Sequence, residues 1–190
     1  MAEDMEQRKR LSFEQAEGIE PLPAQLQLRE ISPKLRAALW HLVHGHLIRA
    51  RQHAEYSHDY IGKPWSTILK DEYVDRQHGM VDDFDDTAKN LIAQVRDIFE
   101  RQNYTAIFGW LEFVIKHPSC PPNFAGEVEG TLRLCQAAYR VVDKKVICPI
   151  GSETEHATIV RAFADLASTQ FNGARAHLRN ASSHLTAGKC

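Results

Sequence analysis

The chain has 190 residues, a length typical of one domain or of one domain with part of another. Its 23 basic and 25 acidic residues give a formal net charge of −2, which argues against a basic nucleic-acid-binding protein. The cysteines are widely spaced, and we find neither a secretory signal nor an apolar stretch long enough to span a bilayer. We therefore predict a cytoplasmic protein with reduced thiols and no membrane contact.

The first helical signal follows a polar start. Residues 1–30 are polar and contain prolines, which predicts a polar start followed by an extended arm. Ser32 as N-cap and Pro33 at the first helical position then predict the beginning of a helix. Its apolar face is formed by Leu35, Leu39, Leu42, Val43 and Leu47.

Four more helices are predicted in the middle of the chain. Their ranges are 64–73, 82–102, 103–117 and 122–139. The third helix of the chain, 82–102, begins with a dense group of acids, which we interpret as first-turn residues that stabilise the positive end of the helix. Pro118 ends the fourth helix, and two glycines weaken the fifth. The three tryptophans lie at helical spacing among apolar residues and are predicted core or interface anchors: Trp40, Trp65 and Trp110.

The stretch "YRVVDKKVICPI", residues 139–150, interrupts the helical pattern. It is rich in β-branched residues around a polar centre and predicts a short β-hairpin, in which Pro149 closes the second strand. A capping box from Ser152 to Glu155 predicts a further helix, and the last helix follows in 169–190. The predicted fold is mainly α, a bundle-like array of about seven helices with one short β-hairpin.

Three segments resemble, in order, the AbiJ-type N-terminal domain family. They are "LSFEQAEGIEPLPAQLQLREISPKLRAALWHLV", "YRVVDKKVICPIGSETEHATI" and "FNGARAHLRNASSHLTAGK". The resemblance covers residues 11–189 and implies a bacterial protein of abortive infection, a defence against phage. It implies an AbiJ-like helical domain in 31–168, with a sensing or regulatory role and no catalytic residues. It further implies that 169–190 is the opening helix of a HEPN-like effector domain, here truncated.

The last helix contains a spacing that resembles the catalytic motif of HEPN ribonucleases. Arg179, Asn180 and His184 form an R-N-x3-H arrangement, in which the arginine would hold phosphate charge and the histidine would act on a 2′-hydroxyl proton without a metal. On a continuous helix, however, Arg179 and His184 point roughly 140° apart. Similar spacings also occur in two other pairs, Arg36 with His41 and Arg51 with His58. We therefore favour an ordinary surface helix over a catalytic site.

Two clusters contain potential metal ligands. His41, His44 and His46 cannot converge on one ion from a regular helix, so we predict two surface histidines and His46 packed against the core. The acidic group lacks the spacing of a calcium loop, so we favour helix capping over cation binding. This group consists of Asp82, Asp83, Asp85 and Asp86. No phosphate-binding glycine motif is present, and we predict neither a metal nor a cofactor.

Two functions from different classes remain. The first is a non-catalytic sensor or regulatory module that binds a protein partner, or a second copy, through the last helix and responds to a phage-derived trigger. The second is a HEPN-like ribonuclease that acts as a dimer through Arg179 and His184 and binds RNA. A nucleotide or second-messenger binding module is compatible with a sensor, although no motif supports it.

Overall fold

The computed structural model describes residues 28–54 and 59–150, together with Thr158 and Arg161. Helices dominate this part of the chain, and one antiparallel hairpin follows them, so the predicted mainly α fold is confirmed. The elements are α1 (Pro33–Gln52), α2 (Trp65–Asp75), a 3₁₀ turn (Val81–Asp83), α3 (Ala88–Arg101), α4 (Tyr104–Lys116), α5 (Phe124–Leu134), β1 (Tyr139–Val142) and β2 (Val146–Pro149). The two helices predicted after residue 150 lie outside the described residues, apart from Thr158 and Arg161, which are helical.

Helix α1 begins where its local signals predict. The side chain of Ser32 accepts a hydrogen bond from the Leu35 backbone N–H at 3.1 Å, and Pro33 occupies the first turn. This bond satisfies one of the backbone donors that a helix leaves unpaired at its start. The buried stripe of α1 consists of Leu35, Leu39, Val43 and Leu47, whereas Leu42 is half-buried.

Helix α3 begins later than predicted, and the acidic group lies before it. Asp82 and Asp83 form the 3₁₀ turn, and the first turn of α3 contains no acid. Asp85 instead accepts a hydrogen bond from the Thr87 backbone N–H at 3.0 Å, a local turn that competes with helix formation. The adjoining Ala88 N–H is held by the carbonyl of Asp59 at 2.6 Å. The prediction that these acids occupy the first helical turn is therefore wrong.

The predicted hairpin is present, with Tyr139 opposite Pro149 and Val142 opposite Val146. Asp143, Lys144 and Lys145 connect the strands. Asp143 and Lys144 have φ values of 53° and 51°, as at the centre of a type I′ turn, and the Lys145 N–H donates to the Val142 carbonyl at 3.1 Å. Most of the strand residues are buried, so the hairpin is part of the folded body.

Two helices hold the outer edges of the hairpin. Val141 and Ile147 lie opposite each other in the ladder. The Val141 N–H donates to a Glu129 carboxylate oxygen of α5 at 2.6 Å, and the Ile147 N–H donates to Glu112 of α4 at 3.0 Å. Carboxylates thus satisfy backbone donors that a two-stranded sheet would otherwise leave unpaired.

An aromatic cluster joins the helices. Trp65 stacks on Trp110 at 6.3 Å between ring centroids and meets the Phe124 ring edge-on at 5.4 Å. Both tryptophans are buried, whereas Trp40 is half-buried and packs against Phe99 at 5.8 Å. Because Phe99 of α3 also packs against Trp110, these aromatic side chains tie the five helices α1 to α5 to one core. Within the part of the chain described, no helix combines the length and the apolar character needed to cross a bilayer.

Candidate functional site

The tail residues singled out in the sequence are not among those described. Arg179, Asn180 and His184 lie outside the described residues, as does the whole segment 169–190. Their proposed catalytic role, and association through the last helix, therefore stay predictions.

In the pair Arg36 and His41, the arginine has a structural role. Arg36 donates through Nη1 to the carbonyl oxygens of Phe99 at 2.6 Å and Gln102 at 2.9 Å, which ties α1 to the C-terminal end of α3. A cation there compensates the partial negative charge of the helix end. His41 is exposed, and no described bond joins it to Arg36. In the third pair, Arg51 is half-buried and His58 lies outside the described residues.

The histidines of α1 differ in their surroundings. His46 packs edge-on against Phe124 at 5.2 Å between ring centroids, and its Nε2 lies 2.7 Å from a Glu127 carboxylate oxygen. The prediction that His46 packs against the core is therefore confirmed. His41 is exposed as predicted, whereas His44 is half-buried against the Trp40 ring, with centroids 5.2 Å apart.

The described residues contain no group of three or more His, Cys, Asp or Glu side chains placed to hold a metal ion. In the acidic group, hydrogen bonds from the backbone and side chain of Thr87 lower the pKa of Asp85. That carboxylate therefore stabilises the turn before α3.

The cysteines in the described ranges are present as thiols. Cys120, Cys135 and Cys148 form no disulfide bond, and Cys190 lies outside these ranges. Burial raises the pKa of the Cys120 and Cys135 thiols, with a smaller opposing effect of Lys34 on Cys135. A raised pKa lowers the thiolate fraction and hence the reactivity, so neither thiol has the character of a nucleophile.

An open groove of about 640 Å³ lies where α2, α3 and α4 meet. We call it the Glu72 groove and define it by Glu72, Gln77, Gln94, Gln102, Ala106 and Trp110. The three glutamines are exposed, whereas Glu72 and Trp110 are buried. The groove therefore has an exposed polar rim beside two buried polar groups.

Glu72 is the buried acid of this groove. Only 7% of the residue is exposed, and the Gln77 side-chain amide donates to its Oε2 at 2.7 Å. Burial raises the pKa of Glu72, and the hydrogen bond from Gln77 and the positive charge of Arg76 partly oppose this effect. Sequence reasoning missed this residue, although it continues the stripe of Ile68 and Leu69, where an apolar side chain is expected.

Trp110 contributes a buried donor without an acceptor. The residue is 1% exposed, and its indole N–H has no hydrogen-bond partner. Its ring packs against Trp65 and against Phe99, the latter at 5.7 Å between centroids. Its helical spacing among apolar residues predicted a core or interface anchor but not the unpaired N–H, which depends on the polar groups that other helices bring near.

Arg76 occupies the rim of the groove. Its guanidinium lies over the Phe113 ring at 5.7 Å from the centroid, a cation–π contact. A Cβ atom added at Gly109 would stand 3.4 Å from Arg76 Nη2, so this glycine leaves the guanidinium room to lie along α4. Arg76 is therefore partly occupied by contacts within the protein.

A second groove, of about 540 Å³, lies between α1 and the start of α5. His41, His46 and Arg49 line it, together with Glu127. The carboxylate of Glu127 already pairs with His46. His46, the more buried of the two side chains, therefore has a partner within the protein. This pairing makes it a weaker candidate for a binding site than the Glu72 groove.

Comparison with known proteins assigns the chain to a family. The model of the family described as AbiJ N-terminal domain 4 matches residues 11–165. No curated protein and no solved structure matches the chain. Because the matched region covers most of the 190 residues, the chain belongs to the AbiJ N-terminal domain 4 family.

Proposed function

We propose that this chain is a sensor or regulatory module of a bacterial phage-defence system and has no catalytic activity of its own. Membership of an AbiJ domain family gives the abortive-infection context. The observation that carries the sensing role is the Glu72 groove, an open groove whose lining includes the buried carboxyl group of Glu72 and the buried Trp110, whose indole N–H is unpaired. Buried polar groups normally pair within a protein, so such groups beside an open groove suit the binding of another molecule.

The roles of the basic side chains support a non-catalytic module. Arg36 binds backbone carbonyls, and His46 pairs with Glu127. His117 lies 2.9 Å from an Asp71 carboxylate oxygen through Nε2 and accepts the Ser119 N–H at its other ring nitrogen. Each of these groups thus stabilises the fold of the described region rather than facing the Glu72 groove.

A ribonuclease assay tests the absence of catalysis. The purified full chain is incubated with single-stranded RNA, with and without EDTA, beside His184→Ala and Arg179→Ala variants. We expect no cleavage above background in any sample. Cleavage by the wild type in EDTA that disappears in His184→Ala would instead establish the competing proposal, a dimeric HEPN-like ribonuclease that uses Arg179, Asn180 and His184.

A thermal-shift experiment in cells tests the sensing role. An epitope-tagged chain is expressed in bacteria, and its aggregation temperature is compared before and after phage infection. We expect a higher temperature in infected cells, because a trigger that binds only the folded state stabilises it by mass action. Equal temperatures across a panel of phages would count against the proposal, and a tagged unrelated protein controls for general effects of infection.

A further inference from the structure

We infer that the Glu72 groove binds a nucleobase that carries an amino group, as the free base or its neutral nucleoside. The indole N–H of Trp110, the carboxyl group of Glu72 and the amide side chains of the rim would hold it. This inference names a ligand class for the proposed sensing function and rests on that proposal for its biological role. The binding itself is argued from the geometry of the groove.

The first requirement on the ligand comes from Trp110. Its N–H is a donor only, and leaving it buried and unpaired is unfavourable because it has lost its hydrogen bonds to water. The ligand must therefore offer an acceptor that enters between the side chains of the rim. The lining beside Trp110 includes Gln102 and Ala106. A long glutamine side chain can rotate away, so the acceptor reaches the indole without a change of backbone.

The second requirement comes from the carboxyl group. Glu72 offers oxygen acceptors at the same groove, one of which already accepts from Gln77. A ligand group that donates N–H to this carboxyl complements it, as an exocyclic amino group does in cytosine recognition by acidic side chains. Gln77 and Gln94 add primary amides, which pair with the adjacent acceptor and donor on the edge of adenine.

The shape of the groove favours a flat ring. Ala93 and Ala106 contribute short side chains and Ile98 a partly buried one, so the lining offers apolar surface as well as amides. A volume of about 640 Å³ is within the range of small-molecule sites. A planar base can lie on the apolar side and direct its hydrogen-bonding edge towards Glu72.

The charge of the groove disfavours phosphates. Arg76 is its basic residue, and the acids Glu72 and Asp97 also line it. Asp97 pairs with Arg101 at 2.9 Å, and Arg76 contacts Phe113. A di- or triphosphate would need several free cationic groups or backbone donors, so the site suits the uncharged base or nucleoside.

The small void that shares lining residues with the groove does not provide a water partner for the indole N–H. A void of only about 10 Å³ lies beneath the groove and shares Glu72, Gln77 and Gln94 with it, which is barely room for one water. Trp110 does not line this void, so a water there would leave the indole N–H unpaired.

Nuclear magnetic resonance of the ¹⁵N-labelled full chain tests the inference. The three tryptophans give three indole N–H signals, and Trp110→Phe assigns one of them. If that variant does not fold, Trp40→Phe and Trp65→Phe assign the same signal by elimination. Adenosine, cytidine, uridine, ATP and the neutral peptide triglycine are titrated separately. We expect adenosine or cytidine to shift the Trp110 signal saturably, and uridine, which lacks the amino group, to bind much more weakly.

Two variants locate the site. Glu72→Gln removes the charge of the acceptor and should weaken binding of the amino-bearing nucleoside about tenfold, whereas Glu100→Gln on the exposed face of α3 should leave it unchanged. The inference is overturned if no nucleoside shifts the Trp110 signal, if uridine or triglycine binds as well as adenosine and cytidine, or if Glu72→Gln binds normally. The ribonuclease assay is independent, so failure of the binding and failure of the proposed function can be told apart.

Discussion

At Glu72, a charged side chain replaces the apolar one that its helical position favours. It follows Ile68 and Leu69 on the inner face of α2, and it is almost as buried as they are. Burial penalises the ionised form, and the hydrogen bond from Gln77 and the charge of Arg76 only partly offset that penalty. At neutral pH, Glu72 therefore lowers the stability of the fold, a cost that binding residues often carry.

The raised pKa of Glu72 predicts a pH-dependent stability. The folded protein holds this proton more tightly than the unfolded chain, so the free energy of unfolding falls as pH rises from about 4.5, the ordinary value, through the raised pKa. Glu72→Gln keeps an acceptor for Gln77 and does not titrate. We expect this variant to be more stable than the wild type at pH 7, and the difference to vanish below about pH 4. Urea unfolding across this pH range measures it, and a variant less stable at every pH would contradict the argument.

Lys144 is a residue in an unfavourable backbone conformation. It lies in the left-handed region with φ of 51°, which costs residues with a Cβ atom roughly 1–2 kcal/mol. Glycine removes that cost but adds about 0.5–1 kcal/mol of chain entropy. We therefore expect Lys144→Gly to stabilise the protein by about 0.5–1 kcal/mol.

The neighbouring Lys145 supplies the matched control. It is also in the turn but has no positive φ, so Lys145→Gly brings only the entropic cost and should destabilise by about 0.5–1 kcal/mol. We therefore expect the two substitutions to shift the urea midpoint in opposite directions, upwards for Lys144→Gly and downwards for Lys145→Gly. Two shifts of the same sign would show that side-chain contacts outweigh the conformation of the turn.

At the scale of elements, the hairpin depends on helices for its stability. A two-stranded hairpin alone is marginal in water, and here each strand receives a carboxylate on its outer edge. Glu112 accepts from Ile147, and Glu129 accepts from Val141. These contacts make α4 and α5 the lateral neighbours of the sheet, in the positions where further strands would otherwise pair.

Removal of one carboxylate should therefore loosen the hairpin. Glu112→Ala leaves the buried Ile147 N–H without its acceptor, and we expect a loss of about 1–3 kcal/mol. Glu112→Gln retains an oxygen acceptor and should lose less, while the exposed Glu100→Ala should change stability by under about 0.5 kcal/mol. Hydrogen exchange of the Ile147 amide is the local measurement. Unchanged protection in Glu112→Ala would show that other contacts hold the strand.

Across the whole molecule, features with local causes could be predicted from sequence and features with distant causes could not. Ser32 and Pro33 act within one helical turn, and Pro149 acts on its own strand, so their structural effects were predictable. The start of α3 was misplaced because a dense run of acids matches the usual first-turn signal, while the bond from Thr87 to Asp85 holds a turn instead. The Glu72 groove was not predicted, since α2, α3 and α4 create it only when they pack together.

The contact of Glu112 with Ile147 also has a distant cause, so it could not be predicted from the sequence. The two residues are 35 positions apart, and no pattern near Glu112 marks it as a partner of a strand. The unpaired N–H of Trp110 likewise depends on which acceptors other helices bring near. Hydrophobic periodicity predicts which face of a helix is buried, but not which polar groups meet inside the fold.

The packing of Trp65 in the core predicts that removal of this one side chain lowers the stability of the whole molecule. Trp65 contacts His46 of α1, Trp110 of α4 and Phe124 of α5, so its truncation leaves a cavity at the junction of four helices. A buried tryptophan replaced by alanine costs about 3–5 kcal/mol, a large part of the roughly 5–15 kcal/mol that stabilises a typical domain.

We therefore expect Trp65→Ala to shift the urea midpoint, followed by circular dichroism at 222 nm, far below that of the wild type. Leu134→Ala, at a side chain that is 74% exposed, should change the free energy of unfolding by under about 0.5 kcal/mol. Trp65→Phe should fall between the two, because it keeps an aromatic ring against Trp110 and Phe124. If Trp65→Ala unfolded at the same urea concentration as Leu134→Ala, the aromatic cluster would not be the link that makes these helices unfold together.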